Sequence, residues 1–285
     1  MKKDQSLDLE ATARHIEVLI DSGVAGLVMC GSLGENQALE PEEKRVVMQT
    51  AIEVAGGRIP VLSGVAENST AAAIRYARAM EAMGADGLLL LPAMVYKSDA
   101  VETMAHFRAV ANASGLPIIC YNNPLAYGVD LTPEMFAELA DEEKFVAIKE
   151  SSGNVRRITD IINLLGDRYT IFTGVDDLAL ESLFLGATGW ISGVGLAFPR
   201  ENQRVYELAA AGRWEEARAI YRWYMPLLHL DIPIKFVQYI KLAVQECGLG
   251  AEWVRAPRLP LTGAEREAIL TIIHDAIATR PVMPA

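Results

Sequence analysis

Phe145-Val146-Ala147-Ile148-Lys149-Glu150-Ser151-Ser152-Gly153 runs four apolar residues into a lysine and a polar turn. An unbroken apolar run of this length suits a strand buried on both faces, as in parallel sheets covered by helices. A lysine at the end of such a strand must reach water, find a partner or lose its proton more readily than usual. A desolvated lysine is the nucleophile of Schiff-base chemistry at carbonyl carbon. The structural alternative is a side chain that snorkels to the surface.

The same grammar repeats outward from that run. Strand-like segments at residues 26–30, 59–64, 87–91, 116–121, 145–149, 169–174 and 189–192 alternate with amphipathic stretches at 41–55, 70–83, 99–113, 132–139, 155–165 and 177–185. Repeated βα units with short connections predict an α/β fold, a (β/α)8 TIM barrel rather than a doubly wound sheet. No G-x-G-x-x-G follows the first strand, which disfavours a dinucleotide fold and hydride transfer. Beyond residue 198 the strand signal stops, and segments 197–208, 214–228, 234–247 and 264–278 read as helices. Residues 1–198 are therefore read as the barrel, and 199–285 as a C-terminal helical annex completing the same domain. A closed barrel needs eight strands and seven are found. The charged stub 1–5 leads straight into a helix at 9–21, so the first barrel strand is missing from the expected pattern, which truncation would explain.

The 285 residues are 51% hydrophobic and 22% charged, with 26 basic against 37 acidic residues and a net charge of −11. That balance disfavours nucleic acid and anionic membranes as partners. Cys30, Cys120 and Cys247 form no CxxC, and the four histidines are scattered, so neither a disulfide framework nor a zinc site is expected. Cys30 and Cys120 read as reduced core residues. With no signal peptide and no apolar stretch of membrane-spanning length, a cytoplasmic protein is expected.

Polar residues gather at four strand ends, where barrel active sites are assembled. Cys30-Gly31-Ser32-Leu33-Gly34-Glu35 brackets a hydroxyl with glycines whose free amides suit a carboxylate. Tyr121-Asn122-Asn123-Pro124 offers a phenol for proton transfer or a rim aromatic. Lys149 is the third, and Gly174-Val175-Asp176-Asp177 the fourth, its aspartates expected to cap the next helix. Glu35 and Glu150 read equally as rim hydrogen-bonders or loop charges, and Lys235 and Lys241 as surface or annex contacts.

Together these segments resemble the dihydrodipicolinate synthase / N-acetylneuraminate lyase family, from about Leu7 to the last helix. The paired Tyr-Asn-x-Pro and Ile-Lys-Glu motifs, with the lysine 28 residues after the tyrosine, carry the resemblance. It implies class I Schiff-base chemistry without metal or organic cofactor. Lys149 would form the imine with the C2 carbon of a small 2-oxo acid, Tyr121 relay protons and Ser32 position it. Gly31, Leu33, Gly34 and Ile191 would line the substrate site, and the chain would assemble as a homotetramer.

Departures from the synthase pattern narrow the substrate. Leu33 stands where synthases carry a second threonine. Leu125-Ala126-Tyr127-Gly128 lacks the arginine that binds the second substrate's carboxylate, an interaction often bidentate. Met94 replaces the tyrosine that reaches a neighbouring subunit's relay, with Tyr96 two residues on. These features, with segments 30–36, 91–98 and 225–231, are similar to the dehydratase and deaminase branches. Those branches act on 4-hydroxy 2-oxo acids or on the cyclic imine 1-pyrroline-4-hydroxy-2-carboxylate. The rival expectations are a pyruvate-dependent aldolase or synthase, and a non-catalytic ligand-binding barrel.

Overall fold

The computed structural model describes residues 1–283. Seven strands, β1 (Leu27–Met29), β2 (Val61–Val65), β3 (Gly87–Leu90), β4 (Ile118–Asn122), β5 (Phe145–Glu150), β6 (Thr170–Thr173) and β7 (Gly189–Trp190), form one parallel sheet in chain order. Helices alternate with them: α1 (Leu9–Asp21), α2 (Pro41–Ala55), α3 (Thr70–Met83), α4 (Ala100–Ala111), α5 (Pro124–Tyr127), α6 (Pro133–Leu139), α7 (Arg156–Leu165) and α8 (Ala179–Phe184). Four more follow: α9 (Pro199–Ala210), α10 (Trp214–Leu228), α11 (Phe236–Glu246) and α12 (Gly263–Ala278). This is the expected TIM-barrel-like fold with C-terminal helices. Residues 1–5 form a turn, and among the described residues β1 and β7 are not paired with each other.

Strand faces divide the apolar residues into two layers. Leu88, Leu90, Ile118, Cys120, Phe145 and Ile148 point outward and pack under helix residues such as Met48, Ala77 and Phe107. Leu89, Ile119, Tyr121 and Ala147 point inward, with Leu62, Phe172 and Ile191 against them. A bulge governs which residues of β5 face inward. Ile118 pairs with Phe145 but Ile119 with Ala147, so Val146 is left over and is 41% exposed. Beyond the bulge, Tyr121 pairs with Lys149 and Lys149 with Phe172. The lysine therefore enters the barrel interior beside the tyrosine.

The C-terminal helices bury Val205, Leu208, Ile220, Tyr224, Ile240 and Ile273 in a cluster of their own. Polar clasps tie them to the barrel. Lys241 Nζ lies 2.8 Å from the buried Glu35 carboxylate, which also accepts from Arg255 N at 2.9 Å. Tyr221 donates to the Asp176 carbonyl at 3.3 Å.

Two local features depart from expectation. β7 stops at Trp190 because the amides of Gly193 and Val194 turn to the Asp176 carboxylate instead of continuing the ladder. Residues 124–127 form a helical turn: Asn123 accepts from Ala126 N at 3.0 Å, Pro124 opens the turn, and Gly128 closes it at φ 71°.

Candidate active site

Lys149 projects from β5 with its Nζ 4.4 Å from the centroid of the Tyr121 ring. Burial lowers its pKa, opposed by the nearby Asp231, Tyr127 and Asp176. The lysine is thus biased toward the neutral, nucleophilic form. Space for it depends on Gly174, at the end of β6. A Cβ there would lie 2.3 Å from Lys149 Cε and 2.2 Å from Ser151 Oγ. The side chain turns over the Tyr121 ring at the cavity rather than along the outer surface.

The loop after β1 leaves the strand abruptly, with Cys30 at φ 53° and Glu35 at φ 58°. Asn36 Nδ2 pins it by donating to the Cys30 carbonyl at 2.7 Å. Ser32 Oγ is thereby held in a short hydrogen bond to the Tyr127 hydroxyl, while the resemblance had it positioning Tyr121. Tyr127 in turn meets Tyr121 edge-on, ring centroids 5.8 Å apart. Asn123 Nδ2 donates to the Tyr121 hydroxyl at 3.3 Å. Burial raises the pKa of both phenols. Ser32, bonded to Tyr127, and Tyr121, packed edge-on against Tyr127, therefore gather beside Lys149.

Tyr127 is the member of this group that sequence reasoning missed. The signal was present, since Asn123-Pro124 followed by Gly128 is the signature of a capped helical turn. That turn swings Tyr127 inward. Tyr96 is 61% exposed and donates to Glu102 at 3.0 Å, away from the group.

Asp176 does not cap a helix, contrary to the sequence expectation. Its buried carboxylate accepts from Trp190 Nε1 at 2.9 Å, Ser192 Oγ at 3.0 Å, Gly193 N at 3.0 Å and Val194 N at 2.7 Å. Four donors at the end of a neighbouring strand satisfy it better than the free amides of a following short turn. Beside it stands Asp231, in the turn His229–Asp231 that joins α10 to α11. Burial first, and then the Asp176 charge, raise the Asp231 pKa well above the ordinary carboxylate value, while Lys149 opposes the rise. Glu150 accepts from Asn122 Nδ2 at 3.0 Å and Ser152 N at 2.5 Å, bracing the turn after Lys149.

These groups open onto one cavity of about 2030 Å³. Ser32, Tyr121, Tyr127, Lys149 and Asp231 supply its reactive groups, and Gly31, Leu33, Gly34 and Ile191 are also in its wall. It extends between β1 and β7, past Leu27 and Gly189. A desolvated amine, a phenol chain and a buried carboxyl around a largely apolar space suit imine chemistry on a small carbonyl compound. Among the described residues, no group of three His, Cys, Asp or Glu side chains is placed to hold a metal ion, and no helix is long and apolar enough to cross a membrane.

Comparison with known proteins places this geometry among relatives. The model of the dihydrodipicolinate synthetase family matches residues 1–276. A 4-hydroxy-tetrahydrodipicolinate synthase from Halalkalibacterium halodurans is 34% identical over 273 residues, 96% of this chain and 92% of the relative. Dihydrodipicolinate synthase from Acinetobacter baumannii, solved with pyruvate, superposes with a TM-score of 0.91 at 32% identity, covering 97% of this chain and 95% of that one. A prophage protein of the same family from E. coli K12, also solved with pyruvate, superposes with a TM-score of 0.92 at 28% identity, over 97% and 95% of the two chains.

Proposed function

The chain belongs to the dihydrodipicolinate synthetase family of Schiff-base lyases, and on that premise we propose that it dehydrates and deaminates a small 4-hydroxy substrate. The substrate is 1-pyrroline-4-hydroxy-2-carboxylate, the products 2-oxoglutarate semialdehyde and ammonia. Lys149 attacks C2 in its neutral form and makes a protonated imine. That imine is an electron sink, and Tyr121, or a water it holds, removes a C3 proton. The C4 hydroxyl then leaves as water and the ring opens. Proton shifts carry the double bond to C5 and turn its amine into an imine, and hydrolysis of that imine releases ammonia. Ser32 and Tyr127 hold Tyr121 and carry its proton onward, while Gly31, Leu33, Gly34 and Ile191 shape the wall around the substrate.

The observation that carries this reading is the loop after β4. It sets Tyr127 against Ser32 and brings no guanidinium to the cavity, at whose rim Leu125 and Ala126 stay exposed. Such a wall favours one small substrate over a second, carboxylate-bearing one. Relatives named as synthases support the competing reading, condensation of pyruvate with an aldehyde. Ammonia release from the cyclic imine, beside condensation of pyruvate with aspartate semialdehyde, separates the two. Release without condensation is expected; condensation without release overturns the proposal.

Exposed apolar side chains at Val95, Leu125 and Ile234 support assembly into a homotetramer. Light scattering checks this, and a monomer at micromolar concentration contradicts it. A cytoplasmic location fits three cysteines in the free form.

A further inference from the structure

The elimination just described needs two proton transfers, one from C3 and one to the departing oxygen, and Tyr121 accounts for the first. We propose that the Asp231 carboxyl performs the second, protonating the C4 hydroxyl as it leaves; this rests on the dehydrating reading above.

Placement is the first argument. Tyr121 stands on β4, Lys149 on β5, and Asp231 packs against Gly193, just beyond β7. In a sheet ordered β4-β5-β6-β7, the phenol and the carboxyl flank the lysine strand from opposite sides. Asp231 comes from the C-terminal helices, not from a strand end, yet it lines the same cavity as Lys149. The fit is close: a Cβ on Gly193 would lie 2.5 Å from Asp231 Oδ1, so the backbone is bare where the carboxyl enters.

Division of roles between the two carboxyls is the second argument. Burial raises the Asp176 pKa, but its four donors, Trp190, Ser192, Gly193 and Val194, oppose that rise. Asp231 has no comparable set of donors among the described residues and feels the charges of Asp176, Asp177 and Lys149. Two carboxyls so close do not ionise equally, and the one with fewer donors keeps the proton. His229 in the same turn contacts Asp177 Oδ2 at 3.0 Å and leaves Asp231 to the cavity.

The step balances. The enamine nitrogen of Lys149 pushes its lone pair through C2 and C3, forming the C3=C4 double bond and the C2 iminium. The C4–O bond breaks with its electron pair on oxygen, and the Asp231 proton completes water. The new Asp231 carboxylate then faces the new iminium charge.

The test uses the full chain, wild type, D231N and D231E, with three readouts: the borohydride-trapped pyruvate adduct, deuterium exchange into the pyruvate methyl, and ammonia release from the cyclic hydroxy-imine. D231N keeps the shape of the side chain but has no acidic proton. It is expected to trap pyruvate and exchange deuterium within about threefold of wild type while ammonia release falls roughly 10²-fold or more. D231E should recover part of that loss. Ammonia release from D231N within about threefold of wild type overturns the assignment, as does an equal loss of exchange and release. A wild type that traps pyruvate but releases no ammonia overturns the deaminase reading itself, and this assignment with it.

Discussion

Lys149 owes its place in the barrel interior, beside Tyr121, to the bulge in β5. Burial depresses its pKa, while Asp231, Tyr127 and Asp176 push the other way and do not cancel the effect. The sign follows directly: the neutral fraction rises as pH climbs through the depressed value. The rate of borohydride-trapped adduct formation should therefore rise with pH and level off below the ordinary lysine value of about 10.4. A midpoint at or above that value contradicts the assignment. Tyr121→Phe should still form the adduct but turn over roughly 10²–10⁴-fold more slowly in steady-state assays. Tyr127→Phe severs the Ser32 link and should lower turnover in the same direction, because Ser32 has no direct bond to Tyr121; unchanged turnover would remove Tyr127 from the relay. At this scale the sequence was partly legible. Lys149, Tyr121 and Ser32 stood out because polar residues end apolar runs, and the structure gathers all three at one cavity. Tyr127 and Asp231 did not stand out. Tyr127 rides on a capped turn just past the strand-end motif, and Asp231 on a turn between late helices that only tertiary packing brings inward.

Elements carry the site through close backbone approaches. Gly174 lets β6 pass the lysine side chain, and Gly174→Ala should displace Lys149 and sharply reduce adduct formation with little change in circular dichroism. Gly64 plays the corresponding part for the chain. A Cβ there would lie 2.5 Å from the Cys30 carbonyl oxygen, where rigid backbone cannot give way. Gly64→Ala should therefore destabilise the fold by about 1–3 kcal/mol, read from denaturant unfolding. All seven strands and the long helices were legible, since continuous apolar runs and 3.6-residue periodicity survive in local sequence. The extent of β7 and the role of Asp176 were not. Both depend on donors that Ser192, Gly193 and Val194 bring from the next strand's end.

The whole molecule is a barrel whose site is completed by helices that follow it in sequence. Glu35 concentrates that dependence: a left-handed residue next to the Ser32 loop, buried, and paired with Lys241 from α11. Burial lowers the Lys241 pKa, and Glu35 offsets the fall. Glu35→Gln leaves that ammonium half of a broken buried pair, which should cost about 3–5 kcal/mol and lower Tm; an unchanged Tm would show that the clasp contributes nothing. Sequence reading could name Glu35 and Lys241 but not their pairing, because 206 residues separate them. The central claim is that this assembly exists to form an imine on one lysine. Reduction with borohydride in the presence of pyruvate, followed by intact mass and peptide mapping, tests it most directly. The expected result is a single reduced pyruvyl adduct on Lys149, absent from Lys149→Ala. No adduct on the wild type, or one that persists in Lys149→Ala, would contradict it.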